Sequence, residues 1–183
     1  MVSRNERMLR RRARKQAAER YEKHRRRNLL AKPGEHEFVV VLDQLKAGFN
    51  VPKIFRSAEV FGAHEVHLIN IGPFDPAAAK GALKRVPAHF HSDFDACYQG
   101  LIERGYTFYI LEADADDALW NADLPDKSAF IFGHEELGIR FDKQLYPEIR
   151  ALSIPQFGKI ESLNVSVAAS VVMYEYVRQR KGC

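Results

Sequence analysis

Short apolar runs, rich in β-branched and aromatic residues, recur along the chain and alternate with segments of helical spacing. Runs this short and continuous are typical of strands that are buried on both faces. Strands that alternate with helices predict an α/β fold with a largely parallel sheet flanked by helices. The five predicted strands are Phe38–Leu42, Val66–Ile71, Tyr106–Leu111, Ala129–Phe132 and Ala151–Ile154.

Three further segments have the spacing of helices. The first has Asn50 as its predicted N-cap and Pro52 in its first turn, where a missing N–H costs little. The second spans Phe94–Arg104, and the third runs from about Leu163 to Arg180. The third is apolar almost all round, so we expect it to be buried against the sheet or against another chain. The pattern over residues 73–91 is mixed and predicts no defined element.

The length of 183 residues, of which 46% are hydrophobic, is sufficient for one domain with its own core. No apolar run is long enough to cross a bilayer, and the basic N-terminal segment does not resemble a signal peptide. Two cysteines, Cys97 and Cys183, are too few and too far apart for a disulfide framework or a thiolate zinc cluster. We therefore expect a soluble protein of the reducing cytoplasm.

Basic residues are concentrated in residues 1–32. This arm contains thirteen Lys or Arg against three Glu, a net charge of +10, whereas residues 33–183 carry a net charge of −6. Ten of the thirteen are arginine, whose planar guanidinium suits phosphate. We therefore predict an RNA-binding arm at 1–32 and a separate globular domain at 33–183. The arginines expected to contact RNA are Arg10, Arg11, Arg12, Arg14, Arg25, Arg26 and Arg27.

Two conformations of this arm are compatible with its sequence. Leu9, Ala13, Ala17 and Tyr21 are spaced four residues apart, which predicts a helix with one thin apolar stripe. A solvated, partly disordered tail is the alternative, because blocks of like charge often remain unfolded. A membrane-surface helix fits less well, since a stripe made mostly of alanine would bury little acyl-chain area.

Polar residues follow three of the predicted strands, at the edge of the sheet where ligands bind in open α/β folds. The loop after the first strand leads to Asn50 and Arg56, the loop after the fourth contains Glu135, and the loop after the fifth ends in Ser162 and Asn164. Each residue alone also fits a helix cap, a solvated turn or a surface side chain. Their coincidence at one edge predicts a common site.

Several familiar site types lack their motifs. There is no GxGxxG after the first strand and no GxxxxGK[ST], GxSxG or HExxH, which argues against dinucleotide, P-loop, hydrolase-elbow and zincin sites. His64 with His67, and His89 with His91, have the spacing of metal pairs, but neither pair has a third ligand in a matching context. We therefore predict that the protein binds no metal ion.

At the three loops the sequence resembles the SpoU class of the SPOUT RNA methyltransferases, which includes tRNA and rRNA ribose 2′-O-methyltransferases. The first motif is matched by Asn50–Ala58, the second by Phe132–Gly138, and the third by Ile154–Pro155 followed by Glu161–Ala168. The run Ser-Leu-Asn-Val-Ser-Val-Ala in the third motif is the most specific element. The match extends from about Glu37 to Arg180.

The resemblance implies a homodimer and a sheet whose C-terminal part is tied into a trefoil knot, which is a rare feature. It also implies S-adenosylmethionine as the cofactor and a ribose 2′-hydroxyl of structured RNA as the methyl acceptor. We favour tRNA over rRNA, because the chain has no room for a separate RNA-recognition domain beyond the arm. A base methyltransferase and a non-catalytic RNA-binding module are the alternatives.

Carried over by position, the motifs imply two sets of site residues. The residues expected to contact the cofactor are Ala113, Gly133, Ile154 and Leu163. The residues expected to be catalytic or to orient the substrate are Asn50, Arg56, Glu135, Ser162 and Asn164. Two positions depart from the usual motifs: Pro52 stands where glycine is common, and His134 stands where a small or amide residue usually precedes the glutamate.

Arg56 is the residue that family precedent assigns to activation of the 2′-hydroxyl. A guanidinium is protonated under all ordinary conditions and is a poor base. We therefore expect Arg56 also to act as an electrostatic clamp that stabilises the alkoxide as it develops.

Overall fold

A computed structural model describes residues 3–160 and 162–180; the motif residue Glu161 and the cysteine Cys183 lie outside this part of the chain. The helices and strands are, in chain order, α1 (Arg4–Asn28), β1 (Val39–Asp43), α2 (Asn50–Val60), β2 (Glu65–Ile69), β3 (Ala88–His91), α3 (Phe94–Ile102), β4 (Thr107–Leu111), β5 (Ser128–Phe132), β6 (Arg150–Leu152) and α4 (Val165–Arg180). Short 3₁₀ turns lie at Pro76–Ala79, Ala82–Lys84, Leu119–Asn121 and Lys143–Leu145.

The six strands of the described chain form one sheet in the order β3-β2-β1-β5-β4-β6, and all neighbouring strands run parallel. The predicted α/β fold with a parallel sheet is therefore confirmed. Five strands overlap the predicted runs, whereas β3 lies in the segment with no predicted element. It is an edge strand of mostly half-buried residues, so it lacks the continuous apolar run of the central strands.

Helices cover both faces of the sheet and create two cores. On one face Val40, Leu42 and Phe130 pack in the larger core with α1, α2 and α4. On the other face Val39 and Val41 pack in the smaller core with α3. Neighbouring residues of β1 thus point to opposite faces. Burial of a valine or leucine side chain contributes about 1.5–3 kcal/mol. Packing on both faces therefore holds the strands firmly, and with them the loops that follow the strands.

The arginine-rich arm is helical. A capping box begins α1, because the Ser3 hydroxyl accepts a hydrogen bond from the Glu6 N–H and the Glu6 carboxylate accepts one from the Ser3 N–H. The predicted helix is therefore confirmed over Arg4–Asn28. In its first half Leu9 is 64% exposed, so the apolar stripe does not pack on the body there.

The second half of α1 packs on the globular body. Tyr21 is buried, and its ring meets Phe74 edge-on with 5.2 Å between the centroids. Asn28 is also buried, and its Nδ2 donates to the carbonyls of Leu83 and Val86 at 2.6 and 2.7 Å. The last turns of α1 are therefore part of the fold, although they belong to the charged segment.

The two helices that begin beside the predicted site start differently from each other. Asn50 is the first residue of α2 and does not cap it, since the helix has no side-chain cap bond. The predicted N-cap is wrong because the Asn50 amide contacts another loop. Pro52 is buried in the first turn of α2, as predicted. At the start of α4, Asn164 Oδ1 accepts a hydrogen bond from the Ser166 N–H at 3.0 Å.

Only one face of α4 is buried against the sheet. Ala169 and Met173 are fully buried, whereas Val167, Val171 and Tyr174 are 48%, 36% and 58% exposed. The predicted burial of this helix is thus confirmed for its inner face. Among the described helices, none has both the length and the apolar character needed to cross a bilayer.

Candidate active site

Three loops meet at the carboxyl edge of the sheet through a chain of side-chain hydrogen bonds. Asn50 Nδ2 donates to Glu135 Oε1 at 2.8 Å, and Asn164 Nδ2 donates to Asn50 Oδ1 at 3.2 Å. The N–H of Lys46 donates to the second oxygen of Glu135 at 3.2 Å. We call Asn50, Glu135 and Asn164 the rim network. The structure thus brings together one polar residue from each of the three predicted loops.

Glu135 is positioned by a tight turn after β5. His134 and Gly138 pair through two backbone hydrogen bonds of 2.8 and 2.9 Å, which fold the loop back on itself. Gly133 is needed for this turn, because a Cβ at that position would lie 2.4 Å from the backbone of Gly138. His134 stabilises the turn further, since its Nδ1 accepts from the Glu136 N–H at 3.1 Å.

The far end of the same turn is held by a buried carboxylate. Asp43 at the end of β1 is 1% exposed, and its Oδ2 accepts from the Arg140 N–H at 2.5 Å. Burial raises the pKa of Asp43, and the hydrogen bond from the Arg140 backbone opposes this increase only in part. Asp43 therefore connects β1 to the loop that carries Glu135.

The rim network keeps Glu135 charged. Partial burial raises its pKa, but the hydrogen bonds from Asn50 and from the backbone of Lys46 outweigh it, so the pKa of Glu135 is lowered. The neighbouring Glu136 forms an exposed ion pair with Lys46, at 2.7 Å between Oε1 and Nζ. At neutral pH the rim therefore presents a carboxylate whose orientation is fixed by amide donors.

A cavity of about 390 Å³ lies beside the rim network. Its walls include Gly133, Leu163, Asn164 and Glu135. A smaller cavity of about 100 Å³ adjoins it and is lined by Ala113, Ile154 and Leu163, among others. The residues predicted to contact the cofactor thus all line one or both cavities, and Ser162 lines both.

Sequence reasoning missed Glu112, which lines both cavities. Its Oε2 accepts a hydrogen bond from Lys143 Nζ at 2.6 Å. An acidic residue directly after a predicted buried strand was the available signal, because the ends of parallel strands face the ligand site. Glu112 adds a carboxylate to the otherwise apolar wall that Leu111 and Ile139 help to form.

Arg56 does not join the rim network within one protomer. It is exposed on α2, and it makes no hydrogen bond or ion pair to any residue in the ranges 3–160 and 162–180. Six residues of helix separate it from Asn50, which places the two about 9 Å apart along the axis and about 120° apart around it. The helix therefore directs Asn50 and Arg56 to different neighbours.

The predicted RNA-binding arginines fall into two groups. Four lie on the exposed first half of α1 and make no hydrogen bond or ion pair with the described part of the chain: Arg10, Arg11, Arg12 and Arg14. Near the end of the helix, the Arg25 guanidinium lies 4.1 Å from the centroid of the Phe90 ring. Arg26 and Arg27 are exposed beside it.

A cavity of small-molecule size at the carboxyl edge of a parallel sheet, with a polar rim, defines an α/β protein that binds an organic ligand at the ends of its strands. Residues 37–174 match the SpoU rRNA Methylase family. The chain belongs to this family, as the three loop motifs predicted.

Relatives and solved structures agree with this placement. The chain is 33% identical over 150 residues to a tRNA (guanosine(18)-2′-O)-methyltransferase of Thermus thermophilus, covering 79% of this chain and 76% of the relative. It is 31% identical over 173 residues to the 23S rRNA (guanosine-2′-O-)-methyltransferase RlmB of Xylella fastidiosa, covering 92% and 69%. The SpoU methyltransferase AviRb of Streptomyces viridochromogenes, solved in complex with AdoMet, superposes with a TM-score of 0.73 at 25% identity, covering 84% of this chain and 62% of AviRb.

Proposed function

We propose that this protein transfers a methyl group from S-adenosylmethionine to the 2′-hydroxyl of a ribose in structured RNA, with tRNA favoured and rRNA the second candidate. The proposal depends on one observation above all. Glu135 and Asn164, which Asn50 links into the rim network, line a cavity of cofactor size at the carboxyl ends of the strands. The relatives named above are 2′-O-methyltransferases of tRNA and of 23S rRNA, which supports the same reaction here.

The cavities suit S-adenosylmethionine in size and in lining. A volume of about 390 Å³ lies within the range of organic-ligand sites, and the walls combine apolar side chains with the Glu112 carboxylate. We assign the holding of the cofactor to Ala113, Gly133, Ile154 and Leu163. When bound, S-adenosylmethionine supplies a methyl carbon activated by its sulfonium. Because that carbon is already activated, we propose that the transfer itself needs no metal ion.

The protein's own task is to orient the ribose oxygen and to stabilise negative charge on it as the hydroxyl proton is released to solvent water. We assign orientation of the nucleotide to the rim network and to Ser162, which is exposed where the two cavities meet. We assign stabilisation of the developing alkoxide to the Arg56 guanidinium. Fixing the reacting atoms in place can itself lower a barrier by about 7–11 kcal/mol in the most favourable intramolecular cases.

A homodimer would explain the outer face of α4. Val167, Val171 and Tyr174 are spaced four and three residues apart, so they form one exposed apolar stripe along the helix. Val60, at the end of the neighbouring α2, is 68% exposed. We propose that a second copy covers this surface. Pairing through α2 and α4 would also place Arg56 in the contact region, where it could reach the partner's cavity.

The first half of α1 supplies the proposed RNA-binding surface. Its unpaired arginines project from the body on a capped helix, where they can contact phosphates over an extended length. Tyr21 and Asn28 belong to the proposed arm of residues 1–32, but both are buried against the proposed globular domain of residues 33–183. We therefore place the RNA-contacting part of the arm before Arg20, which pairs with Asp75 of the body.

The reaction is tested by incubating the purified protein with S-adenosylmethionine and with tRNA or rRNA from cells that lack it, then analysing the digested nucleosides by mass spectrometry. We expect a 2′-O-methylnucleoside, and more of it in tRNA. Arg56→Ala should reduce the rate by about 10²–10³-fold while cofactor affinity stays unchanged. Lys53→Ala, an exposed residue of the same helix, is the matched control.

Three outcomes would contradict parts of this proposal. A methyl group found on a base would identify a base methyltransferase. No heat of S-adenosylmethionine binding in a calorimetric titration would favour a non-catalytic RNA-binding module. Full activity of Arg56→Ala would remove Arg56 from the mechanism.

The arm is tested by a truncation that spares its packed turns. Deletion of residues 1–18 keeps Arg20, Tyr21 and Asn28, which contact the body. We expect weaker RNA binding and a shallower salt dependence, because each lost phosphate contact lowers the slope by about 0.7–0.9. The measurement is RNA affinity at several salt concentrations, and unchanged affinity at low salt would show that the arm takes no part in binding.

A further inference from the structure

A second polar cluster lies on the face of the sheet that α3 covers, at strands β2 and β3. It contains His67 from β2, His91 from β3 and Cys97 from α3, and the ligand atoms of these three side chains all lie within 4.8 Å of one another. His67 and Cys97 are buried, and His91 is half-buried. The rim network and the cavities involve none of them.

The strand register explains why these residues meet. His67 pairs with His89 across β2 and β3, so His91, two residues further along, points to the same face of the sheet. Asp93 caps α3 by accepting from the Ala96 N–H at 2.9 Å, and this places Cys97 in the first turns of that helix. The cluster therefore joins three elements that the sequence separates.

Two of the three side chains, His67 and His91, are already in direct contact through ring nitrogens. His67 Nδ1 lies 2.9 Å from His91 Nε2, a hydrogen bond in which one ring nitrogen donates and the other accepts. Ligands around a tetrahedral zinc ion, with bonds of about 2.0–2.3 Å, lie about 3.3–3.8 Å apart. A zinc ion could therefore take the place of the shared proton, with His91 shifting to the tautomer protonated on Nδ1, and with movements of about 1 Å or less in the side chains.

Glu65 provides the outer carboxylate that metal-binding histidines usually have. Its Oε1 lies 2.9 Å from His67 Nε2, and the Arg104 guanidinium contacts the same oxygen. The Glu65 side chain is only 7% exposed, so water competes little for these contacts. A proton held on Nε2 by Glu65 leaves the Nδ1 lone pair of His67 directed at the other ligands.

Cys97 completes the set. Burial raises the pKa of its thiol to about 12, so without a metal it is a neutral thiol at physiological pH. A thiolate bound to zinc needs no such pH, because the metal displaces the proton. Imidazole nitrogens and thiolate sulfur are the ligand types that zinc binds most often, and three protein ligands leave a fourth position for water.

We infer that His67, His91 and Cys97 bind one zinc ion, with Glu65 as the carboxylate that orients His67. The ion would link β2, β3 and α3 on the face of the sheet that α3 covers, through residues that do not line the cavities of the proposed methyl-transfer site. The prediction that no metal binds was based on the lack of a third ligand near either histidine pair. The structure instead pairs one histidine from each and adds Cys97.

The test uses the full chain with Cys183→Ser, so that any thiolate signal comes from Cys97. The protein is freed of metal with a chelator, dialysed and titrated with Co²⁺, a spectroscopic substitute for zinc. We expect a near-ultraviolet thiolate-to-cobalt charge-transfer band that saturates at one Co²⁺ per chain and is displaced by Zn²⁺. Glu65→Gln should weaken Co²⁺ binding by about 10–100-fold.

Two variants and a control decide the outcome. Cys97→Ser should abolish the charge-transfer band, and His91→Ala, at a half-buried position, should abolish saturable binding while circular dichroism stays unchanged. His64→Ala is the control, because this half-buried histidine precedes β2 and lies outside the cluster. No band in the Cys183→Ser protein, or a band that persists in Cys97→Ser, would overturn the inference and leave the cluster a network of shared protons.

Discussion

Glu135 and Glu65 lie in similar hydrogen-bond networks at different places in the same sheet. Each carboxylate is fixed by nitrogen donors, and the pKa of each is lowered because those donors outweigh burial. They differ in exposure: Glu135 is exposed at the rim of the cavity, whereas the Glu65 side chain is only 7% exposed beneath α3. Water can replace the partners of Glu135 but has little access to Glu65.

Exposure to water decides what each network contributes to the protein. A hydrogen bond that water can replace adds little to folding stability, yet its orientation is available to a substrate that enters the cavity. A buried charge must keep all its partners, since an unpaired one is costly in a medium of low polarity. We therefore expect changes around Glu135 to affect catalysis and changes around Glu65 to affect stability.

The largest expected effect tests the buried side of this comparison. Glu65→Ala removes the acceptor that His67, His89 and Arg104 share, and the buried Nε2 of His67 loses its partner. We expect a loss of about 3 kcal/mol in the free energy of unfolding, at the low end for a broken buried pair because Arg104 is 41% exposed. Denaturant unfolding in the presence of a chelator measures it.

Glu59→Ala is the control for that variant. Glu59 forms an ion pair with Arg85 at 2.8 Å, but both side chains are partly exposed. Such surface pairs contribute about 0–1 kcal/mol. Equal losses from Glu59→Ala and Glu65→Ala would show that the two carboxylates do not differ in the way proposed.

The exposed side is tested by Asn50→Ala, which removes the central residue of the rim network. We expect kcat for methyl transfer to fall by about 10²-fold, equivalent to about 2.7 kcal/mol, because Glu135 loses its fixed orientation. The melting temperature should change little. Glu136→Ala is the matched control, since Glu136 bonds to Lys46 and not to Asn50. If Asn50→Ala lowers the melting temperature but leaves kcat unchanged, the rim network contributes to stability and not to catalysis.

The fold was predictable wherever a strand is buried on both faces. The run at β1, all of whose residues are buried, is visible in the sequence because nothing interrupts it. The edge strand β3 was missed because it is short and mostly half-buried, so it lacks the continuous apolar run that marks the central strands. Edge strands pack on fewer neighbours, so their sequences are less constrained.

The site was predictable to the extent that short motifs fix local geometry. Asn50, Glu135 and Asn164 were identified from their loops, and the structure brings them together. The N-cap role of Asn50 was wrong because a tertiary partner, Glu135, takes its amide. The sequence did not predict that Cys97 lies beside His67 and His91, because that contact depends on the register of β2 and β3 and on how α3 covers the sheet. Contacts of that kind depend on packing, which no local pattern contains.

The smallest expected effect concerns pH. The pKa of Glu135 is lower in the folded protein than in the unfolded chain. The hydrogen bonds to its charged form are therefore fully present above the ordinary pKa of glutamate, and they are lost only as the pH falls through the lowered pKa. Glu135→Gln should therefore change kcat/KM by a factor that stays constant between about pH 5 and pH 8, since Glu135 titrates below that window. Methyl-transfer rates of both proteins across this range give the ratio. An inflection in the ratio near neutral pH would mean that Glu135 gains a proton under working conditions. Glu135 would then act as a proton donor, and the contrast with a permanently charged carboxylate at the rim would be wrong.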